Sequence, residues 1–259
     1  MAILRLTGSV GSGSSKKGIP HNEISDVIKV RDRLIELGYD WIGGITDGKN
    51  KDFIRVIKLF QTIYKGHSKF DTGDGRVDLH GTTHKWLAAE NAPGWVHMEG
   101  KSGIGWEVAK FDHGNAWTTT WMLFAIHMAG IYYRGLDVLS ADVSDAPPMW
   151  VRDCSPHKGG KATGHASHQT GLDVDMRLPL LPPDTLKWDQ LKAGDYDKRF
   201  HRQAALLQVT AIKKMMNTRF IFFNDPEFIK KRLSTHEKNH GEHYHIRIKP
   251  PERIEGTYM

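Results

Sequence analysis

Apolar residues recur at helical spacing in two stretches near the N-terminus. In "EISDVIKVRDRLIELGYDW" the residues Val27, Val30, Leu34 and Leu37 share one face, with Ser25 or Asp26 placed to cap the helix and Gly38 to stop it. In "KDFIRVIKLFQTIYKG" a second face is made by Phe53, Val56, Ile57, Phe60 and Ile63 or Tyr64, ended by Gly66. A third short helix is expected over "TTHKWLAAE", after "DGRVDLHG". Three short helices around one small core are thus predicted for about residues 20–91. The most apolar stretch, "AWTTTWMLFAIHMAGIYY" from Ala116 to Tyr133, contains three threonines and His127. It reads as a buried helix, because a membrane span needs about 20 predominantly apolar residues.

Two other stretches alternate with period two, the signature of a strand. "GLDVDMRL" sets Leu172, Val174 and Met176 against Asp173, Asp175 and Arg177, and "HGEHYHIRIKP" sets His243 and His245 against Tyr244 and Ile246. From "NAPGWVHM" onward the chain turns to longer loops rich in Gly, Pro, His and Trp, which places a boundary near Pro93. "LSADVSDAPPMW" reads as a loop leading into the motif region. The expected organisation is a flexible segment over 1–19, a helical domain over 20–92 and a second domain over 93–259. The fold class is α+β, with a central antiparallel sheet in the second domain flanked by helices and long loops.

Composition narrows this picture without changing it. In 259 residues, 39% apolar and 25% charged positions are those of a soluble globular protein. A formal charge of +6 favours polyanions, whether nucleic acid, anionic lipid or an acidic wall polymer. The densest basic cluster is only Lys230, Lys231 and Arg232, which reads as solvated surface, so no nucleic-acid partner is expected. The single cysteine, Cys154, excludes an internal disulfide. "MAILRLTGSVGSGSSKKGIP" lacks the apolar core of roughly 7–15 residues that a secretory signal needs, so export by the general route is not expected.

Fifteen histidines are the compositional anomaly, and they concentrate the chemistry. A catalytic zinc site takes three N, S or O ligands and keeps one position for water. "GHASHQTGLDVD" offers His168 and, seven residues later, Asp175, with Asp173 on the same strand face as Asp175. Two antiparallel strands would bring His168, Asp175 and one of His243 or His245 around a single ion, the other histidine lying near the reacting water. Cys154 reads as a small buried hydrophobe, and His80, His84 and His127 as structural. Trp106, Trp117, Trp121 and Trp150 are suited to sugar stacking but are expected mainly in the core or at the domain interface.

Two resemblances carry these readings further. Val30, Arg31, Leu34, Leu37, Gly38 and Tyr39, then Phe60 and Gln61, then Asp74, Gly75, Val77, Thr83 and Leu87 follow the pattern of a three-helix peptidoglycan-binding domain. The turn "IGGITDGKNKDF" departs from that family's usual spacing. Over roughly 145–250, "SPHKGGKATGHASHQTGLDVDMRLP", "FFND" and "HGEHYHIRI" resemble the penicillin-insensitive murein endopeptidases, within the wider lysostaphin, D-Ala-D-Ala peptidase and hedgehog group of zinc proteins.

The second resemblance implies Zn2+ held by His168, Asp175 and His245, with His243 as general base or oxyanion stabiliser and His165 and His240 as flanking histidines. Glu242 is the competing base, because D-Ala-D-Ala dipeptidases of the group place a glutamate three residues before their last ligand; strand alternation favours His243. Asp173 is a candidate to fix a ligand's tautomer, and Ser155 with Gly159 and Gly160 to line the substrate groove; Arg152, Asp153 and His157 match more loosely.

The implied activity is D,D-endopeptidase cleavage of peptidoglycan cross-links between D-Ala and diaminopimelate. A D,D-carboxypeptidase or dipeptidase, and a non-catalytic zinc-stabilised wall-binding protein, are the alternatives. A wall hydrolase made in the cytoplasm without a signal peptide would act in the periplasm or wall after lysis or injection. That makes it a phage-type lysin or an antibacterial effector, the latter with an immunity protein or secretion machinery as partners.

Overall fold

The structure, a computed structural model, describes residues 4–70, 72–109, 114–139, 146–181 and 200–256. Its N-terminal part holds the three expected helices, α1 (Ile24–Glu36), α2 (Lys51–Tyr64) and α3 (Thr82–Leu87), with a 3-10 turn at Asp40–Ile42. Asn50 caps α2 by accepting from the N–H groups of Asp52 and Phe53. Gly66 follows at φ 73°, the left-handed conformation that closes a helix C-terminus. The cap of α1 differs from expectation. The helix begins after Glu23 with no side-chain cap, and the buried Asp26 instead accepts from Thr7 N, Thr7 Oγ1 and Gly8 N at 2.8–2.9 Å.

The opening segment, expected to be flexible, is packed over part of its length. Leu4, Leu6 and Val10 are buried, and β1 (Val10–Gly11) pairs with β2 (Arg76–Val77). The residues that carry the peptidoglycan-binding pattern mostly hold one another. Gln61 Nε2 lies 2.7 Å from Asp74 Oδ1 and 2.9 Å from both the Arg76 carbonyl and Thr83 Oγ1, while Gln61 Oε1 accepts from Gly75 N.

β3 (Trp95–His97) pairs with β6 (Trp117–Thr119), so the first residues of the apolar stretch are strand rather than helix. Thr119 Oγ1 then accepts from Met122 N and starts α4 (Thr120–Leu139). The main sheet has six strands: β4 (Ser102–Gly103), β5 (Trp106–Val108), β7 (Met149–Val151), β8 (Asp173–Arg177), β10 (His243–Ile248) and β9 (Thr218–Phe222), in that spatial order. It is mixed, not purely antiparallel, because β5 and β7 run parallel. Most of the loop expected before β7 lies outside the described residues. Helix α5 (Arg202–Met215) packs against α4, and the short α6 (Pro226–Lys230) follows β9.

The inner faces of β8 and β10 follow the predicted alternation. Val174, Met176, Tyr244 and Ile246 are buried in a cluster that also takes Met122, Ile126 and Tyr133 of α4 and Ala205, Val209 and Ile212 of α5. One contiguous cluster of buried apolar residues runs from Leu4 to Ile248 and includes α1, α2 and the sheet. Among the described residues, no helix is long and apolar enough to cross a membrane.

Candidate metal centre

The opposite faces of β8 and β10 carry the polar residues. The antiparallel register sets His243 across from Arg177, His245 from Asp175 and Arg247 from Asp173. His168 joins them from the loop before β8, at φ 58° and fully buried. A non-glycine residue in the left-handed region costs of order 1–3 kcal/mol and persists only where its surroundings over-determine it. Here they do. His168 Nδ1 faces the Cys154 carbonyl at 3.0 Å, and two residues later Thr170 Oγ1 donates to the carbonyl of His67.

Because a carbonyl can only accept, the His168 proton sits on Nδ1, which leaves the Nε2 lone pair pointing inward. His168 Nε2 lies 3.1 Å from Asp175 Oδ1 and 3.1 Å from His245 Nδ1, and those two atoms are 3.0 Å apart. The outer nitrogen of His245, Nε2, is engaged by Asp173 Oδ1 at 3.1 Å, so in the neutral ring its inner Nδ1 is also a bare acceptor. Three acceptors therefore converge on one point, with their outer partners taken by a carbonyl and a carboxylate. A cation satisfies all three at once. Zinc ligands at about 2.0–2.2 Å from a tetrahedral ion lie roughly 3.3 Å from one another, and the donor set matches in chemistry and in spacing.

The second oxygen of Asp175, Oδ2, stands 3.7 Å from His165 Nδ1 and 3.7 Å from His243 Nε2. Four histidines thus surround one carboxylate that is only 1% exposed. His165, His168 and Asp175 alone bring one donor atom each within 4.8 Å of one another, a group able to hold a metal ion. His165, expected only as a flanking residue, is therefore close enough to contribute a donor.

Burial alone would raise the Asp175 carboxyl, but His168 and His245 hold it well below its usual range. Burial would lower His245, yet the Asp173 and Asp175 carboxylates bring it up to about 9. His243 goes the other way: burial takes it down to about 4, against the pull of Asp175, so its ring is neutral near pH 7. Asp153 raises His165.

The remaining expected residues fall into place unevenly. Asp173 is buried between His245 and Arg247, its Oδ2 accepting from Arg247 Nη1 at 2.7 Å. Glu242 precedes β10, so strand alternation does not govern it; its Oε1 comes within 3.9 Å of His243 Nδ1. His240 lies beside His243 and His245, with ring centroids 4.9 and 5.3 Å away. Ser155 is fully buried, and its Oγ accepts from Gly171 N at 2.8 Å, which commits the hydroxyl to the loop before β8. Gly159 and Gly160 face Leu59 and Arg55 of α2, with Arg55 Nη2 donating to the Gly159 carbonyl. His157 stacks on Trp117, and Trp106 is core. The Cys154 thiol is buried and pushed well up by that burial; its carbonyl, not its sulfur, serves the site.

Three features were not found from the sequence. Phe220 and Phe222 of β9 stack on each other at 4.1 Å and lie against His245, forming a half-buried aromatic wall. Asp153 reaches His165, and Arg247 reaches Asp173. Arg247 had a legible signal, since it continues the alternating face of His243 and His245, and Asp153 had only its loose match to the family's loop.

A family model described as penicillin-insensitive murein endopeptidase matches residues 99–199. That segment is similar to these peptidases and includes Cys154, Asp153, His165, His168, Asp173 and Asp175, while His240, His243 and His245 lie beyond it. No curated protein matches the chain. The family match supports a hydrolase that acts on peptidoglycan as a peptidase.

Proposed function

We propose that the protein is a zinc-dependent D,D-endopeptidase that cleaves peptidoglycan cross-links between D-Ala and diaminopimelate. The observation that carries this reading is the convergence of His168 Nε2, Asp175 Oδ1 and His245 Nδ1 within 3.1 Å, beside a segment similar to murein endopeptidases. These three residues would hold the ion. When bound, zinc supplies Lewis-acid polarisation of a carbonyl and a water of lowered pKa.

The chain's own residues do the rest. His243, neutral near pH 7, accepts the proton of the attacking water and returns it to the leaving amine. Asp175 Oδ2, 3.7 Å away, stabilises the imidazolium that forms. Phe220 and Phe222 shield His245 from solvent on the β9 side. Glu242 stays outside the strand and assists through His243. In this reading the N-terminal helical domain, 20–92, holds the wall while the domain over 93–259 cuts it. The site of action is the periplasm or cell wall, reached by lysis or by injection as an antibacterial effector.

Digestion of purified sacculi with and without chelator tests the reading. Conversion of cross-linked dimers to monomers, abolished by chelation and by His245→Ala, is the expected result. Release of terminal D-Ala alone would make the enzyme a carboxypeptidase, and bound zinc with unchanged muropeptides would make it a wall-binding protein. Lysis on directing the chain to the periplasm, and not on keeping it in the cytoplasm, tests the place of action.

A further inference from the structure

The polar face of β8 and β10 does not end at the three converging ligands. Arg247, 1% exposed, donates from Nη1 to Asp173 Oδ2 at 2.7 Å, and the other oxygen of that carboxylate, Oδ1, meets His245 Nε2 at 3.1 Å. From Nη2 the same guanidinium donates to the Gly66 carbonyl at 3.3 Å. Gly66 is the residue that closes α2, its N–H bonded to the Ile63 carbonyl and that of His67 to the Thr62 carbonyl. The carbonyls at a helix C-terminus carry the negative end of the helix dipole, which complements a buried cation. Gly66 also lies against Pro250 at the exit of β10, where an added Cβ would come within 2.9 Å of the proline ring.

We propose that Arg247 is a positioning residue that orients His245 and fixes its tautomer through Asp173, and that the C-terminal turn of α2 is a structural part of the metal centre. A buried carboxylate shared between an imidazole and a guanidinium has one low-energy arrangement. Arg247 takes Oδ2, so Oδ1 is left for His245 Nε2–H, and the His245 Nδ1 lone pair must face His168 and Asp175. The fork geometry of arginine lets one side chain reach the carboxylate and the helix-end carbonyl from two separate nitrogens, where a lysine has only one. The helical domain thereby contributes to the affinity of the centre for its ion through the fold, whatever it binds on its outer surface.

This rests on the zinc reading of the site, and the test separates the two. In the full chain, Arg247→Met, Arg247→Lys and Asp173→Asn are compared with the parent by Zn2+ and Co2+ titration. The Co2+ absorption spectrum is recorded alongside, as are the 15N shifts of the histidines in metal-free protein at a pH above the His245 value of about 9, where that ring is neutral and has a tautomer. Far-UV circular dichroism reports folding. The expected result is a loss of metal affinity of about 10- to 100-fold in Arg247→Met and Asp173→Asn, the range for such outer partners, with a smaller loss in Arg247→Lys. A changed His245 tautomer in the metal-free variants is expected too, and combining Arg247→Met with Asp173→Asn adds little further loss. If Arg247→Met fails to fold, Arg247→Lys decides alone. Parental affinity, spectrum and 15N shifts in a folded Arg247 variant overturn the proposal. A parent chain that takes up neither ion overturns the zinc reading, while the metal-free 15N shifts still judge the relay.

Discussion

At the residue scale the centre is governed by which nitrogen of each histidine is already engaged. His168 is turned by the Cys154 carbonyl and His245 by Asp173, and both outer partners are buried, so water does not compete for them. The role proposed for His243 differs because its environment differs: burial lowers it to about 4, while the carboxylates around His245 raise that ring to about 9. His243→Ala is expected to cut turnover by about 10²–10⁴-fold, the usual range for loss of a positioned acid or base, with zinc content unchanged. Glu242→Gln should retain most of the activity. The reverse pattern, measured as release of monomers from cross-linked muropeptides at matched zinc occupancy, would transfer the base role to Glu242. Both residues were legible as candidates from "HGEHYH"; strand alternation does not reach Glu242, since the strand begins only at His243.

At the element scale, the short loop that delivers His168 depends on Gly171. Its φ is 66°, its carbonyl accepts from Thr118 Oγ1 and Thr119 Oγ1, and an added Cβ would lie 2.6 Å from the Trp95 ring and 2.7 Å from Thr119 N. Gly164, at φ 82°, has no atom within 4 Å of the same position. Gly164→Ala should therefore cost only the left-handed conformation, about 1–2 kcal/mol, and Gly171→Ala clearly more. Urea unfolding of the two variants compares them, and equal losses would refute a tight approach at Gly171.

The start of α1 makes a separate prediction about pH. Burial would raise the Asp26 carboxyl, but hydrogen bonds from Thr7 and Gly8 bring it below its ordinary 3.8. A carboxyl lowered in the folded state stabilises the protein above its unfolded pKa, and that contribution is lost as pH falls through the folded value. Asp26→Asn should flatten the fall in thermal stability from about pH 5 downward. A parental slope retained in that variant would place the acid sensitivity elsewhere. The helices themselves were readable from spacing, but the partner of Asp26 was not. Thr7 and Gly8 are 18–19 residues away, and no local pattern links them to a helix cap.

At the scale of the whole molecule, one apolar cluster spans the N-terminal helices and the sheet, and polar contacts run from α2 and its C-terminal turn to the motif loop and to β10. Ligand binding to the folded state alone stabilises it by about 2.7 kcal/mol at a hundredfold excess over Kd, and so by roughly 5–10 °C in Tm for a chain of this size. Zinc addition should raise a single transition by that amount, and chelation should reverse it. Two transitions, with only one responsive to zinc, would show that the helices and the sheet melt independently.

The sequence by itself determined the periodicities, and with them α1, α2, the two alternating strands and the chemical identity of every residue in the centre. Those properties are local, because they follow from which side chains share a face at period 3.6 or 2. Only the tertiary structure decided that His245 stands opposite Asp175, that β5 and β7 run parallel, and that Arg247 reaches both Asp173 and the end of α2. Those are relations between segments up to 181 residues apart, set by register and packing, on which the spacing of residues along one chain carries no information.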